Sequence, residues 1–261
     1  MPSDYIAPAG MPAGIRLSAG EHAAASLIRK LRVWDEVSRE EEAVLRDMLL
    51  PPTIIEAHHD IVAEGSRRSS STLLVDGFAA RYKLVEDGGR QITAVHVPGD
   101  FVDLHSFLLH QMDHGVSALT ACRVATLPHP SLASIVKHYP HLGRLLWLAT
   151  LVDGSIKREW LVGMGRRTAT ARLAHLICGV ASRLEVVGLA PKHQFLFPAT
   201  QTDLGDMLGT SAVHMNRSLQ ELRARSLIQW KGHVVKILDW EGLTGFADFD
   251  PAYLHLRREP R

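Results

Sequence analysis

The residues whose types and spacing carry the most specific chemistry lie between Thr200 and Ile237. Val213, Asn216, Arg217 and Gln220 recur at three- and four-residue steps, which places them on one side of a helix. An arginine fork donates twice to guanine O6 and N7, an asparagine pairs bidentately with adenine, and a valine suits a thymine methyl group. Thr200, Ser211, His214 and Lys231 flank them and are types that hold phosphate. The chemistry implied is non-covalent, with base edges read in the major groove of double-stranded DNA while phosphate contacts fix the register. Arg217 is the expected base reader.

Such a set needs rigid support, and the same segment supplies it. Thr200 caps a helix with Asp203 three positions on, and Leu204, Met207 and Leu208 form its apolar face. Gly209 permits a sharp turn. Thr210 or Ser211 then caps a second helix, predicted over 211–223, whose Met215, Leu219 and Leu222 point inward. Beyond Arg225, residues 227–237 predict two strands around Lys231-Gly232-His233, a wing beside the helices. A purely structural helical hairpin uses the same glycine turn and inward leucines. Caps, turn, polar outer face and wing occurring in order favour a winged helix-turn-helix. Charge agrees in direction: residues 1–165 hold 16 Lys and Arg against 19 Asp and Glu, whereas residues 166–240 hold 10 against 5. Alone, that excess equally describes a solvated surface.

At 261 residues with 46% hydrophobic content, the chain is long enough for two folded domains. Residues 21–50 carry helical periodicity and end at Pro51-Pro52. From Thr53 to about Thr126 short Val-, Ile- and Thr-rich runs alternate with Asp-Gly and Pro-Gly turns, which predicts a β-sandwich or barrel. Helices return after Pro130. From Leu142 to about Met164 the stripe Leu145, Leu148, Val152, Ile156 and Trp160 keeps a spacing near 3.5 and predicts a dimerisation seam with a second copy, although an ordinary core helix shows the same stripe. Another helix is expected over 170–184. The longest largely apolar run, 145–152, is far short of the roughly 20 residues that span a bilayer. Two distant cysteines without a CxxC pattern argue against a disulfide framework, and the N-terminus lacks the pattern of a secretory signal. These features predict a cytoplasmic protein with no membrane association.

The layout resembles the Crp/Fnr family of bacterial regulators. The resemblance rests on Leu74-Val75-Asp76-Gly77 with Pro98-Gly99-Asp100-Phe101, and on Asp203-Leu204-Gly205 through Val213-His214-Met215-Asn216-Arg217, and it covers roughly residues 25–240. It implies an α+β fold with a cupin-like β-roll over 21–140, a dimerisation helix over 141–166 and a winged helix-turn-helix over 167–240. Residues 1–20 and 241–261 are expected to be tails, the latter packing back on the wing or a partner through Phe246, Phe249, Tyr253 and Leu254. It also implies a homodimer on a roughly palindromic site, with RNA polymerase as a further partner.

Three departures from the family narrow the reading. Members that read TGA-containing half-sites carry Glu four residues before the arginine, where this chain has Val213, so the acceptor for cytosine N4 is missing. Cyclic-nucleotide-binding members carry Gly-Glu and then an Arg followed by Ser or Thr. Here Asp103-Leu104-His105 follows, and no Lys or Arg lies between Arg90 and Arg123 while Asp100, Asp103 and Asp113 do, so cyclic AMP is not the expected effector. The N-terminal cysteines of the iron–sulfur branch are absent. Asp103, His105, His110 and His114 mark the segment where relatives take effectors. The histidine spacing would converge on an ion only if the loop were helical, so no metal or cofactor is expected. A cupin-type metal-dependent enzyme is the alternative, but no His-x-His with a following Glu occurs in the roll and no catalytic residue is assigned. Cys122 and Cys178 are expected to be inert, buried thiols.

Overall fold

The short β-branched runs of residues 53–128 pair into two antiparallel sheets in the computed structural model, which describes residues 19–109 and 111–259. β1 (Thr53–Ile55), β7 (Cys122–Pro128) and β3 (Ser70–Asp76) form one sheet, in the order β1-β7-β3. β2 (Asp60–Val62), β6 (Gly115–Ala118), β4 (Ala79–Leu84) and β5 (Arg90–His96) form the other, in the order β2-β6-β4-β5. Leu74, Val102, Met112 and Val116 fill the space between the sheets. The opposite face of the first sheet presents Leu73, Val75, Ala125 and Leu127 to a helical layer.

That layer begins with α1 (Ala19–Trp34) and α2 (Arg39–Met48). Ser38 opens α2 with a reciprocal capping box to Glu41, so two backbone donors that the first turn would orphan are satisfied. α3 (His129–His138) leads into α4 (Pro140–Arg166), the longest described helix at 27 residues.

The stripe that the sequence assigns to a dimer seam lies largely against the chain's own core. Leu145 and Val152 are buried in the chain's own core, with Leu148 and Ile156 packed beside them on α1 and the first sheet, and Trp160 lies against the C-terminal core. The stripe is turned inward because the uncovered sheet face needs it. The apolar residues left in solvent are Trp147 (66% exposed), Leu151 (53%) and Leu161 (72%). With Gly154, Arg158 and Gly165 they continue at alternating four- and three-residue steps, a second seam on the outer side.

α5 (Ala169–Val186) starts the C-terminal unit and buries Leu173, Leu176, Ile177 and Val180. Around it pack α6 (Gln201–Leu208), α7 (Ala212–Ala224) and a sheet of β8 (Gln194–Leu196), β10 (Val234–Ile237) and β9 (Ile228–Lys231), in the order β8-β10-β9. β8 extends the expected two-stranded wing by one strand, and at three residues it is too short to show alternation.

Residues 241–259 are not a loose tail. Asp239 caps α8 (Trp240–Ala247) by accepting from the Gly242 N–H at 2.9 Å. The chain then sets Phe249 edge-on against His175 of α5 (ring centroids 5.1 Å), stacks Tyr253 on the same ring (5.6 Å) and places the Glu259 N–H on the Trp34 carbonyl at 3.1 Å. It therefore clamps α5 and α1 rather than the wing, since aromatic side chains settle where a continuous apolar surface exists. The expected tail over 1–20 lies outside the described residues but for the start of α1. Among the described residues no helix is long and apolar enough to cross a membrane.

Candidate nucleic-acid interface

The first reader helix starts where a threonine side chain replaces the missing helical acceptor. Thr200 Oγ1 accepts the Asp203 N–H at 3.1 Å, and Asp203 returns a carboxylate oxygen to the Thr200 N–H at 3.0 Å. α6 ends at Gly209 in the left-handed conformation (φ 61°), which a side chain would strain. The following turn approaches so closely that a Cβ on Gly205 would sit 2.6 Å from the Thr210 carbonyl oxygen. Asp203-Leu204-Gly205 is thus a packing requirement of the two-helix turn.

α7 begins one residue later than expected because Ser211 is the cap, its Oγ accepting the His214 N–H at 3.2 Å. Met215, Leu219 and Leu222 are buried and fix the helix on α5 and α6. Ser218 is buried too, 3.2 Å from the Thr170 hydroxyl, which also lies 2.9 Å from Glu221. That hydrogen bond and the Arg225 ion pair at 2.9 Å hold the Glu221 carboxyl below its ordinary range. The helix is therefore locked along its inner side.

Its outer side is bare. Val213 (65% exposed), His214, Asn216, Arg217 and Gln220 all face solvent. None of these side chains makes a hydrogen bond or ion pair among the described residues. Thr200 and Ser211 stand exposed at the two helix N-termini. The β9–β10 hairpin turns through Gly232-His233 and leaves Lys231 exposed at its end, while Trp230 is anchored by its indole N–H to the Gly232 carbonyl at 3.1 Å. The eight residues singled out from the sequence thus fall on the exposed parts of one small domain.

The residues expected at an effector site behave differently. Asp103 is fully buried, accepts the Thr72 N–H and lies 3.5 Å from Arg68, while burial pushes its carboxyl up to about 6. The rings of His105 and His114 meet at a tilt with centroids 5.1 Å apart, and His114 is bonded to Asp113 at 2.7 Å. Their loop contains only a short turn at Leu104–Phe107, and His110 lies outside the described residues. Among the described residues no group of three His, Cys, Asp or Glu could hold a metal ion.

Around this loop the fold gathers charges that are distant in sequence. Arg81 of β4 is buried, donating to Asp153 of α4 at 2.9 Å and to the Val102 carbonyl at 3.1 Å, and Lys157 reaches Asp153 at 3.0 Å. Asp100 accepts from Lys30 of α1 at 2.6 Å, from Arg183 of α5 and from the Val97 N–H at 2.9 Å. Burial alone would raise the Asp100 carboxyl, but Arg183 and Lys30 hold it well below the carboxylate range. His96 beside them is driven down to about 3, first by burial and then by Arg81. A cavity of about 30 Å³ remains among these groups, room for about a water molecule. The absence of Lys and Arg between Arg90 and Arg123 therefore misjudged the local field: the cations come from α1, β4 and α5. Nor is the roll independent of the reader, because Arg90 pairs with Asp203 (2.6 Å) and Asp206 (2.8 Å) of α6, and Gln91 donates to the Asp206 carbonyl at 2.6 Å.

Comparison with known proteins gives this architecture its class. A Crp-like helix-turn-helix domain matches residues 171–246, and a cyclic nucleotide-binding domain matches residues 53–139. The chain is 25% identical over 185 residues to the transcriptional activator protein FnrL of Cereibacter sphaeroides, covering 69% of this chain and 74% of that one. It is 25% identical over 195 residues to the fumarate and nitrate reduction regulatory protein of Vibrio cholerae, covering 74% and 77%. Its fold matches that of FixK2 from Bradyrhizobium japonicum with a TM-score of 0.68 at 24% identity, over 76% of this chain and 98% of that one. The two matched domains, in this order, give the chain the make-up of a DNA-binding transcription regulator of the Crp/Fnr type, a group of regulators rather than enzymes.

Proposed function

We propose that the chain acts as a homodimer that sets α7 of each copy into successive major grooves of a roughly palindromic site, with half-sites about 34 Å apart. The observation that carries this reading is the bare, unpartnered face of a helix otherwise locked by Met215, Leu219, Leu222 and Ser218. Arg217 donates to a guanine, Asn216 and Gln220 contact neighbouring bases, and Val213 packs on a thymine methyl group. Thr200, Ser211, His214 and Lys231 grip phosphates on either side. In a promoter-fragment retardation assay, Arg217→Ala abolishes the preference for specific over bulk DNA, whereas an unchanged preference overturns the assignment.

The dimer forms along the outer seam of α4, through Trp147, Leu151 and Leu161, and not through the inward stripe. Self-complementary apolar seams of this kind suit a two-fold pair, and glycines at 154 and 165 allow close approach. Leu151→Glu with Leu161→Glu yields monomers in sedimentation experiments; a dimer that survives both substitutions contradicts this seam. RNA polymerase is the partner through which a bound dimer acts, which places the protein in the cytoplasm.

The roll takes no cyclic nucleotide. The position facing α4 is filled by the Arg81–Asp153 pair, and the remaining space of about 30 Å³ is far below the several hundred Å³ of ordinary ligand sites. Nor does the chain carry an iron–sulfur cluster: its two cysteines are both buried, and burial drives the Cys178 thiol up to about 12, out of reach of thiolate chemistry. Titration calorimetry with cyclic AMP gives no heat of binding under this reading.

A further inference from the structure

An opening between roll and reader lies away from the buried charges. It measures about 600 Å³, within the ordinary range for small-molecule sites, and occupies a domain interface where such sites concentrate. The roll contributes the Asp76–Phe78 turn, Pro98 and the Thr120-Ala121 turn; the reader contributes the end of α5, Leu189, Leu196 and the wing residue His233.

We propose that this cleft is a binding site for a small, largely apolar molecule that is neutral or cationic and carries a hydrogen-bond donor. Three features of the lining select that chemistry. Phe78, Leu184, Leu189 and Leu196 with the surrounding prolines give the walls an apolar character, and Leu196 remains 61% exposed there, a large side chain without cover. The lining holds one carboxylate, Asp76, and no Lys or Arg. Arg29, close by at Gly188, is committed to the Val187 carbonyl at 2.8 Å. The one charged side chain in the lining is thus an acid, which favours a neutral or cationic ligand over an anionic or phosphorylated one. A donor suits the acceptors present: Asp76 spends one oxygen on the Gly77 N–H at 2.9 Å, which leaves the other for a ligand amine or amide. The wing backs the site directly, since the Phe197 N–H donates to the His233 carbonyl at 2.7 Å beside Leu196.

The full chain can be titrated with N-phenyl-1-naphthylamine, a neutral apolar amine that fluoresces on leaving water, and with 1-anilinonaphthalene-8-sulfonate, the same skeleton bearing an anion. The expected result is saturable one-to-one enhancement by the neutral probe and at least tenfold weaker binding of the sulfonate. Leu189→Trp, which fills the cleft, and Leu196→Glu, which charges an exposed position on β8, are each checked for folding by circular dichroism. A tenfold or greater loss of neutral-probe affinity in a folded variant supports the site. No saturable enhancement, equal binding of the two probes, or unchanged affinity in both variants overturns it. DNA retardation without probe is scored separately, so failure of the cleft and failure of the DNA-reading function are distinguishable.

Discussion

The outer face of α7 and the charge cluster beneath α4 are built from similar residue types and do opposite things with them. On α7, Arg217, Asn216 and Gln220 have no partner among the described residues and stand in water, where an unpaired polar group costs nothing. Beneath α4, Arg81, Asp153, Lys30, Asp100 and Arg183 are shielded and paired with one another. Burial of an unpaired charge costs several kcal/mol, so these groups must find partners inside the chain or not be there. The teaching is directional. Polar side chains kept solvated on a rigid support are free to bind something else, while those already satisfied in the interior hold the domains together.

Single substitutions test this contrast, because the same loss of a polar group should act on folding in one place and on DNA in the other. The largest effect is expected at the buried pair. Asp153→Asn leaves the Arg81 guanidinium without its counter-charge and costs about 3 kcal/mol of stability by chemical denaturation, at the low end because the Asp153 side chain keeps 26% exposure. DNA specificity of the folded fraction is unchanged. If Asp153→Asn is instead neutral for stability, the cluster is not what joins roll to helix.

The next effect is in pH. His96 is 2% exposed with a folded value near 3 against an ordinary value of 6.5, so the unfolded chain binds its proton first. A depressed histidine contributes stability that is present above the unfolded value and lost as pH falls below it. Between pH 7 and pH 5 the contribution that disappears is about 2 kcal/mol. Denaturation midpoints should fall over that window and fall less in His96→Asn, whereas equal slopes would remove His96 from the account. The smallest effect belongs to Lys231→Ala on the wing. It should weaken binding to all DNA sequences alike and reduce the dependence of log affinity on log salt by about one charge, with folding untouched.

The two regions were not equally legible in the sequence. The reader is local: Thr200 with Asp203, Gly209, Ser211, and Met215, Leu219 and Leu222 all lie within one short segment, and helical spacing alone assigns inner and outer sides. Val213, Asn216, Arg217 and Gln220 are exposed on the side that helical spacing assigned them, one residue of helix boundary aside. The charge cluster is assembled from α1, β4, α4 and α5, and nothing in the neighbourhood of Arg81 or Lys30 announces Asp153 or Asp100. One interval of the chain therefore does not reveal the cations that the fold brings to it. The α4 seam is ambiguous for another reason. That helix is apolar on two sides, one for its own sheet and one left in solvent, and periodicity cannot say which side a second copy covers.

Selection of binding sites from a random double-stranded pool, run in parallel with the wild type and Arg217→Ala, tests the central claim most directly. A motif with two-fold symmetry, a guanine in each half and half-sites about one helical turn apart is expected for the wild type, with that guanine no longer enriched by the variant. An identical motif from both proteins, or no enriched motif from the wild type, would contradict the reading of α7 as the element that recognises DNA sequence.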